Sequence, residues 1–157
     1  MSSNVLSSAL IALSQNKPLR RFVENSRMGQ KISRRFIAGL HVEDALAAAE
    51  ELNREGISVS LDCLGENVST EQDARRAANV YHQLLNAIQQ RHLQANVSLK
   101  LTHMGIDLDP EIARSITSEL VDHAAAADTF VRVDMEGTAY TQATVDMTRA
   151  IHAQSNH

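Results

Sequence analysis

From Val42 onward the apolar positions of the chain alternate between two rhythms. Val42, Ala45, Leu46, Ala49 and Leu52 recur at three- and four-residue intervals, the spacing of one helix face, and Gly56 stands just past them as a stop signal. Residues 57–61 (Ile-Ser-Val-Ser-Leu) then alternate with period two and read as a strand. A loop over 62–69 leads to a capping pattern, Ser69 followed three positions later by Gln72. Ala74, Ala77, Ala78, Tyr81, Leu84, Leu85 and Ile88 share one face of the long helix expected after it.

The cycle repeats twice. Residues 97–101 form a second alternating strand, and after a loop over 103–109 Asp109-Pro110 marks a helix start, cap followed by N1 proline. Ile112, Ile116, Leu120 and Ala124 supply the buried face of that helix. A third strand is expected over 130–135, a loop over 136–140, and a last helix from Thr141 to Gln154. Before all this, residues 1–40 read as a helical lead-in, with one short helix over 4–16 ended by Lys17-Pro18. The barrel part occupies 41–157.

Strand–helix alternation predicts parallel strands in an α/β sheet or barrel. The strand faces narrow this choice. One parity is apolar: Ile57, Val59 and Leu61, then Val97, Leu99 and Leu101, then Val131 and Val133. The other is polar: Ser58, Ser60 and Asp62, then Ser98, Lys100 and Thr102, then Arg132 and Asp134. A doubly wound sheet covered on both faces would have nearly continuous apolar strands. A barrel whose lumen holds a polar ligand accounts for the polar face.

Asp62, Lys100 and Asp134 occupy the same place in successive units, at or near the carboxyl end of a strand, where parallel α/β folds build their sites. Lys100 could simply form a structural ion pair with one of the aspartates. The cost of burying a lysine without a role favours a functional reading for Lys100 and Asp134.

Composition changes this picture little. Of 157 residues, 43% are hydrophobic and 22% charged, an ordinary globular balance. A net charge of −4 and an aromatic content of 3% argue against nucleic acid as a partner. Cys63 is the single cysteine, so no internal disulfide or cysteine metal cluster can form, and nothing near it suggests an activated thiolate. The seven histidines, His41, His82, His92, His103, His123, His152 and His157, show no metal-ligand spacing such as HExxH. They read as surface helix residues, except that His103 lies in a loop near the expected site. No metal is expected. Lys17, Arg20, Arg21, Arg27, Lys31, Arg34 and Arg35 face one acid, Glu24, and read as a solvated helix face rather than a patch for an acidic partner. The apolar run 5–13 is too short to span a membrane and lacks a basic lead, so a cytoplasmic location is expected.

Four segments carry a resemblance. Arg34-Arg35-Phe36-Ile37-Ala38-Gly39, Leu61-Asp62-Cys63-Leu64-Gly65-Glu66, Val97-Ser98-Leu99-Lys100-Leu101-Thr102 and Val131-Arg132-Val133-Asp134-Met135-Glu136 occur in the order and spacing of bacterial proline dehydrogenases. From Phe22 to Gln154 the chain resembles the amino-terminal half of a monofunctional member of that family. The resemblance implies an FAD-dependent enzyme on a distorted (β/α)8 barrel of the TIM type. Such an enzyme oxidises L-proline to Δ1-pyrroline-5-carboxylate, the first step of proline catabolism, and passes electrons to a membrane quinone, which implies peripheral membrane association. By the same resemblance Lys100 contacts the proline carboxylate, Asp134 is the active-site carboxylate beside the substrate ring, and Met135 touches the flavin. Glu66 matches the acidic residue that pairs with an arginine of the last barrel helix in a gate over the substrate. Asp62 belongs to the same motif without a separate role.

A complete (β/α)8 barrel takes about 250 residues, and this sequence supplies three strand–helix units. The family's middle strands, which carry most flavin contacts, and its carboxyl-terminal arginine pair have no counterpart here. The expectation is an incomplete barrel, a truncation, frameshift or fragment, inactive alone. A non-catalytic interaction module that kept an ancestral half-barrel is the alternative, and a homodimer completing the barrel a lesser one. Unpaired strand edges would favour self-association.

Overall fold

The structure, a computed structural model, describes residues 37–65 and 68–154. The expected lead-in lies outside the described residues apart from 37–40, and the basic run 17–35 lies outside them entirely. All described elements belong to the unit formed by residues 41–157. They are α1 (Val42–Arg54), β1 (Val59–Asp62), α2 (Glu71–Arg91), β2 (Ala95–Leu99), α3 (Pro110–Ala126), β3 (Val131–Val133) and α4 (Thr141–Gln154).

Local chemistry sets the boundaries. At the start of α1 the His41 backbone N–H donates to Asp44 Oδ2 at 3.2 Å. The helix stops where Gly56 takes φ +78°, a left-handed conformation that side chains resist. The start of α2 corrects the sequence expectation: the cap is Thr70, not Ser69. Thr70 Oγ1 accepts the Asp73 N–H at 3.2 Å and donates to Asp73 Oδ2 at 2.7 Å, so the reciprocal partner is Asp73 rather than Gln72. Asp109 caps α3 ahead of Pro110 as expected, accepting the Glu111 N–H at 2.9 Å.

The strands are all parallel, in the order β1-β2-β3. Their limits differ from those read from alternation. Ile57 is not in β1: its N–H returns to Leu52 O at 3.0 Å in the helix-to-strand turn, and its side chain is 46% exposed. β2 begins two residues early because Ala95 and Asn96 pair with Val59 and Ser60. It ends at Leu99 because the Lys100 carbonyl leaves the ladder to accept N–H groups of His103 and Met104, at 3.1 and 3.2 Å. Leu101 is therefore buried in a turn rather than in a strand. β3 is short, with Phe130 and Met135 exposed at its two ends.

The apolar parity faces the helices. Leu61, Val97 and Leu99 join one core with Ala74, Ala77, Tyr81, Leu85 and Ile88 of α2 and Ile116 and Leu120 of α3. The alanines of α2 let that helix lie close against the sheet, and burial of the large residues is the main source of stability. At the amino ends of the strands Asn53 locks adjoining turns together: its Nδ2 donates to Ile57 O at 2.8 Å and its Oδ1 accepts the Gln94 N–H at 2.7 Å. The result is part of a (β/α)8 barrel, with one face of three parallel strands covered by helices and the other lined by polar side chains.

Candidate functional site

Register places the polar side chains. Ser60 pairs with Asn96, Asp62 with Ser98, and Ser98 with Arg132. The Asp134 N–H donates to Leu99 O at 2.9 Å, which carries the β2–β3 ladder one step past Val133. Lys100 and Asp134 therefore stand just beyond the last strand pairs, one layer above Asp62. Paired residues in a sheet point to one face, so these three side chains converge at the carboxyl end.

The sequence candidates do meet. Lys100 Nζ lies 2.9 Å from Asp62 Oδ2 and 3.6 Å from Asp134 Oδ2, with side-chain exposures of 23%, 31% and 35%. The hydrogen bond to Asp62 holds the Lys100 ammonium above its ordinary pKa; burial opposes this, and the charges of both aspartates add to it. The ammonium has three N–H donors and spends one on Asp62; its 3.6 Å approach to Asp134 is charge attraction rather than a hydrogen bond. Donor capacity remains for an anion.

Sequence reasoning missed three supporting groups. Ser98 Oγ donates to Asp134 Oδ1, which fixes one oxygen of that carboxylate and leaves Oδ2 on the Lys100 side. Tyr81, read only as a core residue, sends its hydroxyl from α2 to Asp62 Oδ1 at 3.2 Å and accepts the Cys63 N–H at 3.3 Å. A tyrosine in a stripe of alanine and leucine was the available signal, since a buried phenol needs a polar partner. Glu136 accepts from Thr102 through both oxygens, from the hydroxyl at 2.6 Å and the backbone N–H at 3.1 Å. It ties the β2–α3 loop to the β3–α4 loop.

The rim is built by close approach. Gly65 lies so near the buried His103 ring that a Cβ there would stand 2.5 Å from its Cε1 and Nε2. Met135, next to Asp134, is 57% exposed and presents a thioether surface at the β3 end. Burial first, and then the Asp62 charge, push the Cys63 thiol up, the direction that favours its protonated form. Glu66 lies outside the described residues.

Other features stand apart from the cluster. His82 and His123 bring their Nδ1 atoms within 2.7 Å across α2 and α3. Among the described residues no group of three or more His, Cys, Asp and Glu side chains could hold a metal ion. A groove of about 580 Å³ lies between α3, β3 and α4, lined by Val121, Phe130, Val131, Val133 and Ile151. Val131 and Val133 belong to the apolar parity, so this groove is on the helix side and not at the ion cluster. No helix among the described residues is long and apolar enough to cross a membrane.

The sequence model of the family described as proline dehydrogenase matches residues 45–157. Proline dehydrogenase 1 of Bacillus subtilis (strain 168) is 33% identical over 147 residues, covering 92% of this chain and 48% of that protein. Proline dehydrogenase 2 of the same strain is 28% identical over 123 residues, 78% of this chain and 41% of its own length. The chain thus spans about half the length of the curated relatives it matches. A crystal structure of proline utilization A (PutA) from Bdellovibrio bacteriovorus, inactivated by N-propargylglycine, superposes with a TM-score of 0.71 at 18% identity. It covers 80% of this chain and 16% of that one, and shows the same fold. With the family match over residues 45–157 and the shared fold in agreement, the chain belongs to the proline dehydrogenase family.

Proposed function

We propose that this chain forms the substrate-carboxylate side of an FAD-dependent proline dehydrogenase, which oxidises L-proline to Δ1-pyrroline-5-carboxylate as the first step of proline catabolism. The observation that supports this reading best is the Lys100 ammonium, set at the strand ends between Asp62 and Asp134 with donor capacity to spare. L-Proline is a zwitterion, and this arrangement offers it both signs. Its carboxylate meets Lys100 as a compact point charge, and its ring nitrogen meets the Asp134 carboxylate.

Oxidation removes a hydride from the ring carbon beside nitrogen and a proton from nitrogen itself. In this reading Asp134 lies on the amine side and holds or accepts that proton. Ser98 keeps the carboxylate aimed. FAD supplies the hydride acceptor when bound. Met135, apolar and half-exposed beside Asp134, fits the face of a flat ring system and is the residue of this chain assigned to it. In the same reading Glu66 pairs with an arginine of the last barrel helix, electrons leave to a membrane quinone, and the complete enzyme works in the cytoplasm against the membrane surface.

The test joins this chain to the matching second half of Bacillus subtilis proline dehydrogenase 1. The joined protein should show a flavin absorption band and reduce a dye with proline, whereas the 157-residue chain alone should do neither. A joined protein that folds and binds FAD but leaves proline unoxidised would contradict the reading, as would proline-dependent dye reduction by the chain alone.

A further inference from the structure

Asp62 divides its carboxylate between two partners. Oδ2 accepts from Lys100 at 2.9 Å, and Oδ1 accepts from the Tyr81 hydroxyl at 3.2 Å. Tyr81 comes from the middle of α2, is 0% exposed, and lies in the same core as Ala77, Ala78, Leu84 and Leu85. Its hydroxyl oxygen also accepts the Cys63 N–H at 3.3 Å, so the phenol is held from both sides. Burial pushes the phenol well above its ordinary pKa, which keeps it protonated and a donor. A carboxylate gripped at one oxygen by a rigid buried ring cannot rotate without losing that bond, and its second oxygen is thereby fixed in space. Phenylalanine would keep the ring in this core but would leave both Asp62 Oδ1 and the Cys63 N–H without the hydroxyl.

We propose that Tyr81 is a positioning residue of the site, acting through Asp62 to fix the Lys100 ammonium at the strand ends, and that Asp62 is an anchor for Lys100 rather than a ligand of the substrate. The chain of contacts runs from α2 through β1 to the end of β2. It couples a core helix to the cation that the site offers to an anion. The inference rests on the reading of Lys100 as the anion-binding cation, and its test is arranged so that the two can fail separately.

The test is competitive acetylation with trace acetic anhydride at neutral pH, read peptide by peptide by mass spectrometry. The chain has three lysines, Lys17, Lys31 and Lys100, so the first two serve as internal references. Only the free amine reacts, and its population rises tenfold for each unit by which the pKa falls. Tyr81→Phe should raise the Lys100 rate by roughly threefold to tenfold, about half to one pKa unit. Leu85→Ala, on the same buried face, should leave it unchanged. Asp62→Asn should raise it at least as much, and Tyr81→Phe added to Asp62→Asn should change nothing further. A parental rate in Tyr81→Phe, an equal rise in Leu85→Ala, or additive effects in the double variant would overturn the proposal. Should Tyr81→Phe fail to fold, the contact is read from its other end. Lys100→Met should shift the ¹³Cζ resonance of Tyr81 while that of Tyr140, the second of two tyrosines, stays put; an unshifted Tyr81 overturns the proposal. None of these readouts needs proline, so the expected labelling pattern in a joined enzyme indifferent to proline would refute the substrate and not the positioning.

Discussion

Replacing Gly65 by alanine tests whether the β1–α2 loop rests on His103 as described. The added Cβ would stand 2.5 Å from Cε1 and Nε2 of the ring and 3.2 Å from Nδ1, well inside van der Waals contact. The ring is 9% exposed, and its neighbours Thr102 and Met104 are 3% and 0% exposed, so it has little room to swing away. Overpacking of this kind costs about 1–3 kcal/mol. For a folding unit of this size each kcal/mol moves Tm by about 4 °C, which gives a fall of about 4–12 °C. Thermal unfolding followed by circular dichroism reads this directly, and a double-mutant cycle assigns the cause. In a His103→Ala background the space is open, so Gly65→Ala should cost little, with a coupling above about 1 kcal/mol. A Gly65→Ala chain that melts with the parent, or an equal penalty in both backgrounds, would refute the contact. Because the same loop follows directly on Asp62 at the end of β1, the strained variant should also acetylate faster at Lys100.

His82 is held below its ordinary pKa of 6.5, first by burial and then by the adjacent His123, with Glu119 opposing. The unfolded chain therefore takes up this proton at higher pH than the folded one, and the contribution of neutral His82 to stability is complete above 6.5 and lost as pH falls toward the folded value. The urea midpoint should drop more steeply from pH 7 to pH 5, roughly the histidine range, in the parent than in His82→Gln; parallel profiles would contradict this. The outer strands of the β1-β2-β3 sheet each carry one edge unpaired within it, and Ile57, Phe130 and Met135 are 46%, 56% and 57% exposed beside them. Self-association is the expected result, and sedimentation showing a folded monomer at tens of micromolar, roughly where such edges commonly associate, would count against it.

Periodicity was enough to read the element order, because the apolar parity of the strands and the apolar stripes of the helices each bury against the other. It could not read where Lys100 leaves the ladder. Leu101 continues the alternation perfectly in sequence, yet its burial is achieved in a turn whose hydrogen bonds return to the Lys100 carbonyl. The α2 cap was off by one residue for a similar reason: Ser69 and Thr70 are both capping residues, and only the position of Asp73 selects between them. The Asp62, Lys100 and Asp134 cluster was legible because equal phase in successive strands means one face. Ser98, Tyr81 and Glu136 were not, since each acts through a side-chain contact between residues 19 or more apart in sequence. The His82–His123 contact was equally hidden, being made by two helices from positions without any motif.

The central claim is that Lys100 and Asp134 face the substrate while Val133 faces the helices, and steady-state kinetics of the joined enzyme test it most directly. Lys100→Met should weaken proline binding by about 1–3 kcal/mol, the size of a charge-assisted hydrogen bond, seen as a raised KM. Asp134→Ala should lower kcat more than it changes KM. Val133→Ala should lower Tm and leave KM near that of the parent. A Lys100→Met enzyme with an unchanged proline KM, alongside a Val133→Ala enzyme that no longer binds proline, would contradict the assignment of strand faces and the site built on it.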